Sequence, residues 1–492
     1  MLESLNHSGY IDIRRKYDCV KKTYEFSDGN SVDQNIPGIE EPILNLMRHF
    51  SYDFVAGDLV VHAFESIPEI NGQNCIIGHG FDKKSYLFCS QLPVDMWANL
   101  YPQTYHQKID FVIQNYEIGS YYTEAIFDFD ELQYFVPSNQ VVKAEEEGNH
   151  VVFERSLKEI IAFDITVDSV NCHVSFNVSS KGEWKIAHSN MEAFSEIRIS
   201  FPATSDLDFF KDLYNLVDCV FAFICNRRNT TCLSMKLHGK YPSKRPDHGK
   251  IIDCEKPIQS EIYFFNRYRE EPEGNKAISE TWNVTLFLKH IDNLFKLMAE
   301  NISNKVIDEE DEDIRPLSIA SIHPSIKRRN LVDLQQSLQI ASTFELYVRH
   351  YLPVMEKEET HHVVMNMILK EIIEKKPSKK LKDLAKSLSK NLVREPALKD
   401  KIWKAYKGYD TWLPLKNCIS QEWYKEEEII DLGQEFNLWR NALAHGKLSY
   451  EPNEKTIKAV RLLEHLNYSI ILRAIGYADE EVMTLLEKAL KR

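Results

Sequence analysis

Nine cysteines are scattered along the chain, but no two stand as C-x-x-C and none is grouped with histidines at zinc spacing. That excludes a zinc-ribbon or thioredoxin-like framework, and scattered thiols suit a reducing compartment. Long apolar runs are also missing. The longest, near 213–225, is about half a bilayer span and contains Asp218, so we expect no membrane partner. The opening segment, MLESLNHSGYIDIRRKYD, lacks the apolar centre of a signal peptide, and we expect a cytoplasmic protein. G-x-x-x-x-G-K-[ST], G-x-S-x-G and H-E-x-x-H are absent, which removes the P-loop, nucleophile-elbow and zincin chemistries. No internal repeat is visible. We therefore expect neither a cofactor nor a metal ligand set.

What is present is an ordinary globular composition, 43% hydrophobic and 27% charged, which excludes wholesale disorder. A chain of 492 residues exceeds what one core usually serves, so two or three domains are expected. The net charge of −14 argues against nucleic acid only as an average. From Ser321 to Arg492, 29 lysines and arginines face 24 acids, while the first 320 residues hold 31 against 50. Within the basic part, Lys370 to Lys407 carries 13 cations and 5 anions. Such a segment is either a solvated helix face or a rim that attracts phosphate with steep salt dependence.

Hydropathy period separates two halves. From Tyr17 to about Pro202 the pattern is mostly period two, as in Cys172-His-Val-Ser-Phe-Asn-Val and Glu196-Ile-Arg-Ile-Ser-Phe. Turn residues punctuate it, implying a β-sandwich or barrel-like domain. Asp206 to Cys225 then reads as a helix, and Thr231 to Leu237 as a strand. After Lys250 the reading becomes helical, with an amphipathic stretch over 279–301 and an acidic linker, Asp308 to Asp313, before Pro316. Helices are expected over 330–351, between Thr360 and Lys407, and over 426–445, 453–477 and 478–490. The expected fold class is α+β: a β-rich regulatory domain over 1–255, a helical connector with an acidic linker over 256–320, and an all-α bundle over 321–492.

The helix expected over 426–445 carries the strongest chemical signal. Ile429, Leu432, Phe436, Trp439 and Leu443 fall at three- and four-residue spacing and form one narrow apolar stripe. At ~100° per residue, Asn441 and His445 lie within ~40° of each other, roughly opposite that stripe, with Arg440 on its flank. Gly446 is a natural helix stop. Metal-free RNA cleavage needs a base for the 2′-hydroxyl, an acid for the leaving 5′-oxygen and cations on the phosphate. Histidine serves as either acid or base near neutral pH, and arginine offers a fork of donors matched to phosphate oxygens. One chain supplies one of each at this motif; a two-fold dimer supplies two.

Arg440-Asn441-x-x-x-His445, near the end of a helix in a C-terminal helical segment, resembles the R-x(4–6)-H signature of the HEPN superfamily. The larger layout, a β-rich half followed by such a unit, resembles the ApeA-like anti-phage proteins. The resemblance implies a metal-independent endoribonuclease working at a homodimer or higher-oligomer interface and leaving 2′,3′-cyclic phosphate and 5′-hydroxyl ends. Carried over, Arg440 would bind the scissile phosphate, His445 would transfer protons and Asn441 would orient either. Some members also carry E-x-x-x-[KR] on an earlier helix, which Glu345-x-x-x-Arg349 matches; the same spacing describes an ordinary helical ion pair. Lys447 is a further supporting candidate. RNA, transfer RNA included, is the expected partner, with a phage-derived trigger acting through the β-rich half. The alternative is a catalytically silent HEPN bundle that binds nucleotide or RNA, or joins subunits.

Overall fold

A computed structural model of the chain describes residues 6–12, 15–18, 23–26, 47–53, 58–63, 74–90, 103–136, 142–147, 150–155, 161–185, 188–225, 230–247, 250–265, 288–303, 334–351, 359–375, 378–392, 398–408, 414–445 and 452–489. The fold is α+β, with a large antiparallel sheet in the N-terminal half and helices in the C-terminal half. The chain forms two compact units, Met1–Phe221 with Asn229–Pro272 and Ala222–Arg228 with Glu273–Arg492.

In the first unit, expected to be a sandwich or barrel-like domain, the described residues form two two-stranded sheets, Arg15–Asp18 with Thr23–Phe26 and Val142–Glu147 with His150–Arg155, and a hydrogen-bonded sheet of 13 strands. From one edge it runs Ile161–Val167, Val170–Lys185, His188–Thr204, Tyr121–Phe127, Ser234–Asp247, Lys250–Phe264 and Phe111–Gln114. It continues through Ser85–Cys89, Cys75–Gly80, Asn6–Asp12, Met47–Asp53, Asp58–Ala63 and Gln103–Lys108. The helical reading of the chain after Lys250 is corrected here. Lys250–Phe264 is a strand paired with Ser234–Asp247 and Phe111–Gln114. Its alternation explains why: Ile258, Ser260, Ile262 and Phe264 are buried, while Gln259 between them is exposed. The sequence boundary at 255 therefore falls inside a strand.

Among the described residues this half has two helices, α1 (Asp130–Phe135) and α2 (Leu207–Cys225), the latter belonging to the first unit as far as Phe221. The apolar face of α2 supplies Phe210, Leu213, Leu216, Val217 and Phe221 to the core, all almost fully buried. Phe210 meets the strand residue Tyr122 edge-on at 5.5 Å, and Tyr214 stacks on Phe264 at 3.9 Å. The buried Glu131 carboxylate of α1 accepts from the backbone N–H of Thr231 at 3.0 Å, tying the strand connection to the helix. Gly239 sits opposite a register shift between Tyr122 and Glu124. A Cβ there would lie 2.0 Å from the Tyr121 carbonyl oxygen, so only glycine allows the strands to close. The aromatic residues Phe111, Tyr122, Phe127 and Phe129 are buried in this core.

The helical unit contains α3 (Ile291–Ser303), α4 (Leu334–Tyr351), α5 (Glu359–Glu374), α6 (Lys379–Leu392) and α7 (Leu398–Lys407). It continues with α8 (Glu426–Ala444), α9 (Glu454–Ala474) and α10 (Asp479–Ala489). The acidic run at 308–313 lies outside the described residues. The basic segment forms α5, α6 and α7, and Lys370, Lys375, Lys379, Lys380, Lys382 and Lys386 are exposed on the first two and the turn between them.

At the centre stands α9, buried along most of its length from Ala459 to Leu472. Its start is fixed by a reciprocal cap in which Asn453 accepts from the Thr456 N–H at 3.0 Å and Thr456 Oγ1 accepts from the Asn453 N–H. Thr456 Oγ1 also lies 2.8 Å from Glu435 of α8, and Asn467 Nδ2 donates to the Ile340 carbonyl of α4 at 3.2 Å. These bonds lock α4 and α8 onto α9. Among the described residues no helix is long and apolar enough to cross a membrane.

Candidate functional site

The helix that carries the motif forms for legible reasons. Glu426, Glu427 and Glu428 occupy its first turn, where the helix dipole favours anions. Glu426 pairs with Lys407 at 2.7 Å and Glu428 with Lys458 at 2.5 Å, and each lysine holds its carboxyl below the ordinary carboxylate range. Ile429, Leu432, Phe436 and Trp439 are almost wholly buried, as their spacing predicts. Ala442, one step away, is buried in place of the half-buried Leu443. Gly433 lets α7 come close: a Cβ there would lie 3.3 Å from Lys399 Cα. The helix ends at Ala444, with His445 as its C-cap and the His445 N–H bonded to the Asn441 carbonyl at 3.1 Å.

The structure places Asn441 and His445 exposed at this end and Arg440 on the flank, its side chain 35% exposed. A core role for His445 is thereby excluded. Glu345 of α4, distant by 95 residues, is brought to Arg440, whose Nη2 donates to Glu345 Oε2 at 3.2 Å. The other carboxylate oxygen lies 3.7 Å from Nζ of Lys401 on α7. Three helices thus meet in one charged cluster, graded from the nearly buried Lys401 through Glu345 to the partly open Arg440.

Arg349 lies on α4, but its side chain is outside the described residues, as is Lys447 altogether. The matched E-x-x-x-R therefore contributes its glutamate to the cluster. Sequence reading missed Lys401. The available signal was its position on an apolar face, three residues after Leu398 and one before Ile402, both buried. A lysine on such a stripe needs a counter-charge.

A second histidine lies deeper, on α9. His465 is 5% exposed, stacks on Trp423 at 4.9 Å and has Nδ1 2.9 Å from the Tyr424 hydroxyl. Burial, reinforced by the Arg461 charge, lowers its pKa to about 3, so the ring is neutral at physiological pH. Burial raises the adjacent Glu464 to about 8, against a smaller downward pull from Arg461. Both are structural members of the core. Among the described residues no three His, Cys, Asp or Glu side chains converge closely enough to hold a metal ion.

Chemically, the open end of α8 offers an imidazole and an amide to solvent, with a partly open guanidinium on its flank. The guanidinium is oriented from behind by a carboxylate that a buried ammonium holds. Such a set suits an anionic ligand that needs proton transfer. Comparison of the chain with protein-family models, curated proteins and solved structures finds no match.

Proposed function

We propose that the helical unit is a HEPN-type endoribonuclease that cleaves RNA without a metal and acts in anti-phage defence. The observation that carries this reading is the exposure of Asn441 and His445 at the end of α8, with Arg440 partly open on the flank and Glu345 set against it. In the proposed reaction the 2′-oxygen attacks the adjacent phosphorus and the bond from phosphorus to the 5′-oxygen breaks. One His445 takes the 2′-hydroxyl proton, and the His445 of a second subunit gives a proton to the departing 5′-oxygen. Arg440 meets the charge that builds on the phosphate, and Asn441 steadies the substrate or the ring. The products carry 2′,3′-cyclic phosphate and 5′-hydroxyl ends.

A structured cellular RNA such as transfer RNA fits as substrate, and the β-rich half serves as the element that restrains the nuclease until an infection signal arrives. Purified wild type and His445→Ala, incubated with total RNA in EDTA with lysate of infected cells as the trigger, test this reading. Wild type alone should cut. Equal cutting by both would sink the assignment, and absence of cutting by either would favour a silent RNA-binding bundle. Mixing Arg440→Ala with His445→Ala subunits tests the shared site. Little activity is expected if each site needs both residues from both chains, and substantial recovery would mean that one Arg440 from one chain and one His445 from the other suffice.

A further inference from the structure

We propose that Glu345 is the resting partner of Arg440 and competes with substrate phosphate for it, while Lys401 retains the carboxylate once Arg440 has left. This rests on the nuclease reading of the site and assigns it a regulated resting state.

The asymmetry of the cluster carries the inference. Glu345 uses one oxygen on each cation, 3.2 Å to Arg440 Nη2 and 3.7 Å to Lys401 Nζ. Exposure of the side chains falls from 35% at Arg440 through 21% at Glu345 to 6% at Lys401. An ion pair on the solvent side gains little over water, so Arg440 can exchange its carboxylate for a phosphate at small cost. On the inner side the balance reverses. A largely buried carboxylate left without a cation is expensive, so Glu345 stays with Lys401, 3.7 Å away, when Arg440 leaves. Glu345 and Lys401 are thus positioning residues: they act on substrate through Arg440.

The exchange predicts opposite signs for neighbouring substitutions, which loss of fold cannot imitate. Binding of fluorescently labelled transfer RNA would be followed by anisotropy at fixed salt, in the His445→Ala background so that the RNA stays intact. Glu345→Gln, which removes the competitor, should tighten binding about threefold to fivefold. Arg440→Ala should weaken it and flatten the salt dependence by about one phosphate contact. Lys401→Met leaves the carboxylate to Arg440 alone and should weaken binding by a similar factor, and adding Glu345→Gln should reverse that loss. Thermal unfolding supplies a readout independent of RNA: Lys401→Met should lower Tm on the order of 5 °C and Arg440→Ala much less. If Lys401→Met does not fold, Lys401→Arg should bind like the parent, and Glu345→Gln alone decides. Binding that depends on Arg440 but is unchanged or weakened by Glu345→Gln overturns the exchange while leaving the nuclease reading intact. RNA binding indifferent to Arg440, or none at all, overturns both.

Discussion

His445 and His465 stand on consecutive helices of the same unit and have opposite environments. The first caps the open end of α8 in solvent. The second lies under Trp423 and Tyr424 in the wall of α9 and stays neutral because water cannot reach it. The imidazoles are chemically identical, so the difference between a candidate proton-transfer group and a core residue comes entirely from surroundings. What separates them in sequence is the neighbourhood: Leu462, Leu463 and Leu466 crowd His465, whereas Ala442 and Ala444 leave space around His445.

The sharpest way to break that comparison is to remove each ring in turn. His445→Ala should reduce RNA cleavage about 10²- to 10⁴-fold with an unchanged Tm. His465→Ala should do the reverse, costing about 2–4 kcal/mol of stability through the cavity it leaves. Cleavage per folded molecule should survive. Activity and calorimetry on the two purified variants check both halves. A catalytic collapse in the His465 variant at full helicity would erase the distinction.

Next in size is the pH dependence of stability. His465 has a folded pKa of about 3 against an ordinary 6.5, so the unfolded chain binds more protons between those values and stability rises with pH there. Glu464 has a folded value of about 8 against an ordinary 4.5, so the folded chain binds more protons in that window and stability falls as pH rises through it. The two slopes offset each other between about pH 4.5 and 6.5, leaving a plateau. Below it stability should fall toward pH 3, and above it toward pH 8. Glu464→Gln removes the alkaline limb and should be a few kcal/mol more stable than wild type at pH 8. Urea titrations across pH check this, and an unchanged alkaline limb in Glu464→Gln would refute it.

The smallest effect concerns the start of α9. Asn453→Ala removes the side chain that accepts from the Thr456 N–H, and should cost about 1 kcal/mol by chemical denaturation. No change would mean that Glu435 alone, through Thr456 Oγ1, holds this helix end.

Much of α8 was legible in the sequence because a helix has one period and its stripe is a local property. Ile429, Leu432, Phe436 and Trp439 are buried as spaced, and Asn441 and His445 face solvent as their angles require. The strand Lys250–Phe264 was misread because its first half, exposed at Ile251 and Ile252, shows no buried alternation. Its identity comes from the ladder on both sides of its second half. Lys401 was missed because a lysine among apolar residues announces a need for a counter-charge without naming the donor.

By itself the sequence determined the division into a β-rich acidic half and a helical basic half, the faces of the helices, and the outward turn of Asn441 and His445. These depend on period and composition, which act between near neighbours. Only the tertiary structure decided that Glu345 would reach Arg440 across 95 residues, with Lys401 behind it, and that His465 would be enclosed. Contacts between separate helices depend on how their stripes pack against α9, and no local pattern encodes which charged flanks that packing brings together.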